Sequence, residues 1–232
     1  MRRLGVAVLA ACWTLPFMLL AQVRGSGVFE LNLQSFRNEK GVNVDGNCCN
    51  GYRSEGVCSA TCRTFFRVCL THYQAAIATE PNPTCTFADY TTPVVAENSV
   101  NFSVRTDLPM SNPMRFRIEE YSWPGDFSLI IEAWHDTTLT GPTTGSPREL
   151  ISRLAVQRSA SAGADWYNSR YATRSTELWY SYRFVCEDNY YGARCEDLCR
   201  PRDDQFGHYY CSDNGTKICK DGWQGEYCDR GE

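Results

Sequence analysis

Cysteine placement constrains this chain more than any other feature. Of thirteen cysteines in 232 residues, six fall between Cys48 and Cys85 and six between Cys186 and Cys228, with none from residue 86 to 185. The remaining one, Cys12, lies in an N-terminal stretch where Arg2 and Arg3 precede an apolar run from Leu4 to Leu20. Pro16 interrupts that run, which is too short and broken for a spanning helix and has the form of a secretory signal. Val23 and Gly25 are spaced for cleavage before Ser26, and a cut after Ala21 is also compatible. Either cut removes Cys12 and leaves an even set in an oxidising compartment, where disulfides are the default. The sequons Asn101-Phe102-Ser103 and Asn214-Gly215-Thr216 agree with that route and mark Asn101 and Asn214 as candidate glycosylation sites. No later apolar run is long enough to cross a bilayer, so the processed chain is expected to be soluble and extracellular.

The two clusters imply two modules. The first holds a long cysteine-free stretch and must be stabilised by ordinary burial, for which its length suffices. Phe29, Leu31 and Leu33 alternate with Glu30, Asn32 and Gln34; Phe127, Leu129, Ile131 and Ala133 alternate with Ser128, Ile130, Glu132 and Trp134, and Leu178, Tyr180, Tyr182 and Phe184 with Trp179, Ser181 and Arg183. Residues 63–74 are also rich in strand formers, and only residues 147–154 have helical spacing, through Leu150, Ile151 and Leu154. The fold predicted is mainly β, an antiparallel sandwich. The second module has few aliphatic residues and is too small for such a core, so cross-links must substitute, each contributing about 2–4 kcal/mol.

Within it, CEDNYYGARC (residues 186–195) returns as CKDGWQGEYC (residues 219–228). In each copy an aromatic, Tyr190 or Trp223, stands two residues before a glycine, Gly192 or Gly225, so a turn that tolerates positive φ can fold the ring toward the disulfide. This internal symmetry favours Cys186–Cys195 and Cys219–Cys228, leaving Cys199–Cys211. In the first cluster, adjacent Cys48 and Cys49 are poorly placed to bond each other, their Cα atoms being only ~3.8 Å apart. They can join Cys58 and Cys62 in either order, and a local Cys58–Cys62 link is a third possibility. Zinc is disfavoured by the compartment, the dispersed histidines and the lack of a Cys-x-x-Cys pair.

Seven blocks, SGVFELNLQSF, CRTFFRVCLTHYQ, WPGDFSLIIEAWH, LISRLAVQR, YSYRFVC, YYGARCEDLCRPRDDQFGHYYC and CKDGWQGEYC, resemble in order the N-terminal region of Delta-like Notch ligands of the Delta/Serrate/LAG-2 (DSL) family. The resemblance implies a leader over residues 1–25, a C2-like (MNNL) β-sandwich over 26–180, an EGF-like DSL module over 181–228 and a short tail at 229–232. It also implies a Cys69–Cys85 disulfide, and binding to the EGF-like repeats of a Notch receptor through both modules in cell–cell signalling. Full-length members of that family are single-pass cell-surface proteins.

The segment between Cys199 and Cys211 is the predicted contact site. Arg200 and Arg202 supply donors, Asp204 and Asp203 are local partners, and Phe206 stands beside Gly207, a combination typical of binding hot spots. In a module almost without a core, Phe206 reads as presented, whereas Trp223 reads as core. Tyr190, Tyr191 and His208 fit either role. On the sandwich, the resemblance makes His72 and Tyr121 weaker contact candidates, with Tyr121 and Trp123 equally suited to the core. A second expectation is lipid contact through residues 122–126 and 135–147, which would make the chain a membrane or matrix adhesion fragment with Trp123 decisive. Asp126 and Asp136 are too scattered to compel a calcium site, which needs six to eight converging oxygens, roughly. A net charge of -4 with mixed signs offers no nucleic-acid footprint. No nucleophile elbow, metalloprotease helix or phosphate loop is present, and the chain is expected to bind rather than catalyse.

Overall fold

The computed structural model describes residues 25–79, 84–119, 123–138 and 148–232. The leader, Tyr121 and residues 139–147 of the second proposed lipid loop lie outside the described residues. β1 (Gly27–Arg37) is followed by a hairpin of β2 (Asn50–Ser54) and β3 (Val57–Ala60), then by β4 (Thr64–His72), β5 (Ala88–Thr91) and β6 (Val100–Asn101). β7 (Met114–Ile118), β8 (Asp126–Asp136), β9 (Arg148–Ser159), β10 (Tyr167–Ala172) and β11 (Glu177–Cys186) complete this part. One sheet is ordered β10-β11-β1-β6, with β7 also on β1, and the other β5-β4-β8-β9. Every pairing within both is antiparallel.

Alternation along the strands fills the space between the sheets. Phe29, Leu31 and Leu33 lie opposite Phe184, Tyr182 and Tyr180 in the β1–β11 register. All six are buried with Phe66, Val68, Leu70, Phe127, Leu129 and Ile131 in one cluster. The outward side chains are mixed and not all exposed: on β8, Ile130 and Trp134 are apolar and buried on either side of Glu132. Glu30 is covered by Arg115 and Arg183, and Glu132 by Arg67, Arg153 and the indole N–H of Trp134. Each carboxylate thus has charged donors on its two oxygens, which a buried anion requires.

The expectation of helix over residues 147–154 is wrong, and the reason is local. Opposite the Ala133–Trp134 step the register of β9 skips from Ser152 to Leu150, leaving Ile151 as the extra residue of a β-bulge. The bulge resets the inside–outside phase, so Ile151 and Leu154 are both buried although three residues apart. Their helical spacing is the imprint of that bulge.

Trp123 belongs to the core, which corrects the expectation that it meets lipid. It is 1% exposed, its ring stacks on Phe184 with centroids 4.3 Å apart, and its indole N–H donates to the Ala160 carbonyl at 2.6 Å.

Among the described residues six disulfides are formed: Cys48–Cys58, Cys49–Cys62, Cys69–Cys85, Cys186–Cys195, Cys199–Cys211 and Cys219–Cys228. The three in the second cluster organise very short strands. β12 (Tyr190–Tyr191) pairs with β13 (Asp197–Leu198); β14 (Arg202–Asp204), β15 (Gly207–Cys211) and β16 (Lys217–Cys219) form a three-stranded sheet; β17 (Trp223–Gln224) pairs with β18 (Arg230–Gly231).

The repeated decapeptide is a repeat in three dimensions. Tyr190 N–H donates to the Glu187 carbonyl as Trp223 N–H does to Lys220, and Cys195 N–H donates to Gly192 as Cys228 N–H does to Gly225. Gly192 and Gly225 have φ of 87° and 94°, conformations that favour glycine. Yet the copies are used differently. The first is built into the sandwich: Cys195 is fully buried in its core cluster, Ser26 Oγ donates to Glu187 at 2.8 Å, and Ala162 N–H donates to the Ala193 carbonyl. The second lies against β14–β16, the part that carries the candidate site.

Candidate recognition surface

Gln205 and Phe206 form the tip of the β14–β15 hairpin, between the paired residues Asp204 and Gly207. The Asp204 carboxylate accepts from the Phe206 N–H at 2.8 Å, closing the turn as aspartates commonly do. Gly207 is needed because a Cβ there would sit 2.4 Å from the Tyr227 carbonyl oxygen. Phe206 is 61% exposed, and the Arg202 guanidinium lies over its ring at 5.4 Å. Arg202 also pairs with Asp204 at 3.5 Å, so Phe206, Arg202 and Asp204 form one cluster. Arg200 is exposed just before the hairpin.

Directly paired residues of a sheet point to the same side, so the register defines two faces. Arg202 lies opposite Tyr209, and Lys217 is opposite Cys211. The Lys217 ammonium stands 5.4 Å from the Tyr209 ring and 5.0 Å from the Tyr227 ring. Phe206, Arg202, Tyr209, Lys217 and Tyr227 therefore lie along one face, with Arg202 over Phe206 and Lys217 between Tyr209 and Tyr227. Sequence reading singled out none of Tyr209, Lys217 and Tyr227 as contact residues. Period-two counting outward from a Gln205–Phe206 turn would have placed Tyr209 with Arg202; Lys217 and Tyr227 carry no such signal.

The opposite face holds Asp203, His208 and Lys220. The Asp203 carboxylate meets His208 Nδ1 and Lys220 Nζ at 2.6 Å each, and the His208 ring stacks on Trp223 with centroids 3.6 Å apart. His208 is therefore directed into the module rather than presented beside Phe206. The hydrogen bond from Lys220, and then that from His208, lowers the Asp203 pKa below its ordinary value of 3.8. By linkage, what this carboxylate contributes is complete above the ordinary value and is lost only as pH falls through the lowered one. Amide exchange at the hairpin tip, referenced to an unstructured peptide, should stay equally protected from neutrality down to about pH 5 and lose protection only in stronger acid.

The other candidates are dispersed. Tyr190 packs against the sandwich core. Tyr191 is half-buried, with its ring where a Cβ on Gly215 would fall. His72 is exposed at the end of β4, edge-on to Phe87 at 4.5 Å. Asn101 is exposed and caps its own turn through Ser103 N–H. Asn214 is exposed in the β15–β16 turn. That turn and the Phe206 tip lie at opposite ends of β15, roughly 13 Å apart at the rise of a strand, so a glycan on Asn214 would project away from Phe206. Among the described residues no group of His, Cys, Asp or Glu is placed to hold a metal ion, and no helix is long and apolar enough to cross a membrane.

Comparison with known proteins supplies the context of this surface. Residues 26–184 match the family model for the N terminus of Notch ligand C2-like domain, and residues 186–231 match that for Delta serrate ligand. Human Delta-like protein 1 is 47% identical over 227 residues, which is 97% of this chain and 30% of that protein. The Drosophila neurogenic locus protein delta is 44% identical over 217 residues, 91% of this chain and 26% of that protein. The chain thus spans less than a third of the length of these relatives. A solved structure of Drosophila C2-DSL-EGF1 superposes with a TM-score of 0.75 at 44% identity, covering 89% of this chain and 87% of that one.

Proposed function

The chain belongs to the Delta/Serrate/LAG-2 family of Notch ligands, and from that membership we propose that it binds EGF-like repeats of a Notch receptor outside the cell and acts without catalysis. The face from Phe206 to Tyr227 is the principal contact, and the C2-like sandwich of residues 26–180 gives a second through His72 and Tyr121. What carries the reading is Phe206: a large ring, 61% exposed at the tip of a hairpin held by disulfides, is a preorganised anchor. The two contacts reinforce each other because the first raises the effective concentration of the second. That gain needs a fixed spacing, and the first decapeptide copy, anchored in the sandwich core through Cys195, supplies it.

Signalling in this reading requires a ligand anchored to a cell that can pull. Added in solution as a monomer, the processed chain is expected to bind immobilised receptor repeats, to leave a Notch reporter silent, and to compete with cell-bound ligand. Activation by the free monomer would overturn the requirement for anchoring. Absence of binding would overturn the receptor reading itself.

A further inference from the structure

The Phe206 tip must be held by something other than its own strands. β14 and β16 have three residues each and β15 has five, and so small a sheet is marginal by itself. The second decapeptide copy supplies the support. His208 N–H donates to the Cys228 carbonyl at 3.0 Å, and Lys220 N–H donates to the His208 carbonyl at 2.9 Å. Above these backbone bonds, Asp203 bridges His208 and Lys220, and His208 lies flat on Trp223. All these side chains are on the face away from Arg202 and Tyr209, so they add nothing to the outward surface.

We propose that Asp203 is a positioning residue, clamping the Phe206 hairpin through Lys220 and the His208–Trp223 stack onto the loop closed by Cys219–Cys228, so that the tip meets its partner already ordered. The use of that order rests on the receptor reading above; the clamp itself does not. Ordering before contact removes part of the entropy lost on binding, and two charge-assisted bonds on one carboxylate restrict the hairpin more than one would. This also gives the two copies of the decapeptide distinct tasks: one joins the module to the sandwich, the other aims the hairpin.

The test uses the full processed chain and four forms of it: wild type, Asp203→Ala, Lys220→Met and the charge exchange D203K/K220D. The single substitutions are expected to keep the disulfide pattern and melting temperature, to quicken amide exchange at Phe206 and Gly207 about tenfold, and to weaken binding to a recombinant receptor EGF-repeat fragment about tenfold. The charge exchange should reverse part of both changes, since it rebuilds the pair between positions 203 and 220 but leaves His208 without its carboxylate acceptor; a general loss of stability would allow no such reversal. Unchanged exchange in both single variants, or faster exchange that the charge exchange does not reverse even in part, would overturn the clamp. Faster exchange with unaltered binding, in a chain whose binding does depend on Phe206, would overturn its use in recognition. If removal of Phe206 leaves binding intact, the receptor reading fails, and the exchange measurements still decide the clamp.

Discussion

Phe206→Ala is expected to remove most of the affinity for receptor EGF-like repeats while leaving the fold intact. The ring is 61% exposed and its backbone N–H, bonded to Asp204, survives the substitution, so stability should change by no more than about 0.5 kcal/mol. Binding should fall by about 2–4 kcal/mol, a thirtyfold loss or more, as for an aromatic anchor at the centre of an interface. Arg202→Ala is expected to cost less, because its charge is already shared with Asp204 at 3.5 Å and the pair is open to solvent. Tyr227→Ala and Lys217→Ala should fall between, weakening binding through a continuous face rather than a point. Surface plasmon resonance on the variants, with thermal melts as controls, separates these outcomes. A Phe206→Ala protein that binds as wild type would remove the site on which the functional reading is built.

The sequence carried the architecture where one residue type does one task. Alternation in β1, β8 and β11 translates directly into a core because each of those strands has one face inward, and the cysteine clusters mark where covalent links replace apolar burial. It misled where local structure alters the phase. The bulge at Ile151 put apolar residues three apart on one side of a strand and so imitated a helix. Trp123 was ambiguous because a Trp-Pro-Gly turn suits both an exposed loop and a chain re-entering the core; only the partners Phe184 and Ala160, far away in sequence, decide it. The Phe206 tip was legible because an aromatic among charges in a coreless module has few places to be buried. The rest of its face was not, since Lys217 joins it through the pairing of β15 with β16 and Tyr227 through the packing of the second decapeptide loop against Gly207, and no single-strand pattern reveals either. The repeat hid a different point: similar decapeptides imply similar loops, and they are similar, but their tasks come from what each is pressed against.

Trp123→Ala is expected to destabilise the sandwich more than any surface substitution. Its ring touches Phe29, Phe87, Phe127 and Phe184, with centroids between 4.3 and 5.9 Å, so truncation opens a cavity walled by aromatic side chains from both sheets. Loss of so large a buried ring costs about 3–5 kcal/mol, and the Ala160 carbonyl, now bonded to the indole at 2.6 Å, loses its donor, adding about 1–3 kcal/mol if no water replaces it. For a chain of this length the melting temperature should fall by roughly 10 °C or more. Trp123→Phe keeps much of the packing but not the N–H, and should lie between. The same pair tests the rival adhesion reading, in which this side chain would insert into lipid. Liposome binding per folded molecule should be unchanged in Trp123→Phe; a normal melt together with lost liposome binding would place the ring at the surface and restore the membrane role. Because the Phe184 against which Trp123 stacks lies two residues before Cys186, the loosening should spread to the junction with the first decapeptide copy. Receptor affinity is then expected to weaken in Trp123→Ala although Phe206 and its clamp are untouched, through loss of the fixed spacing between the two contacts.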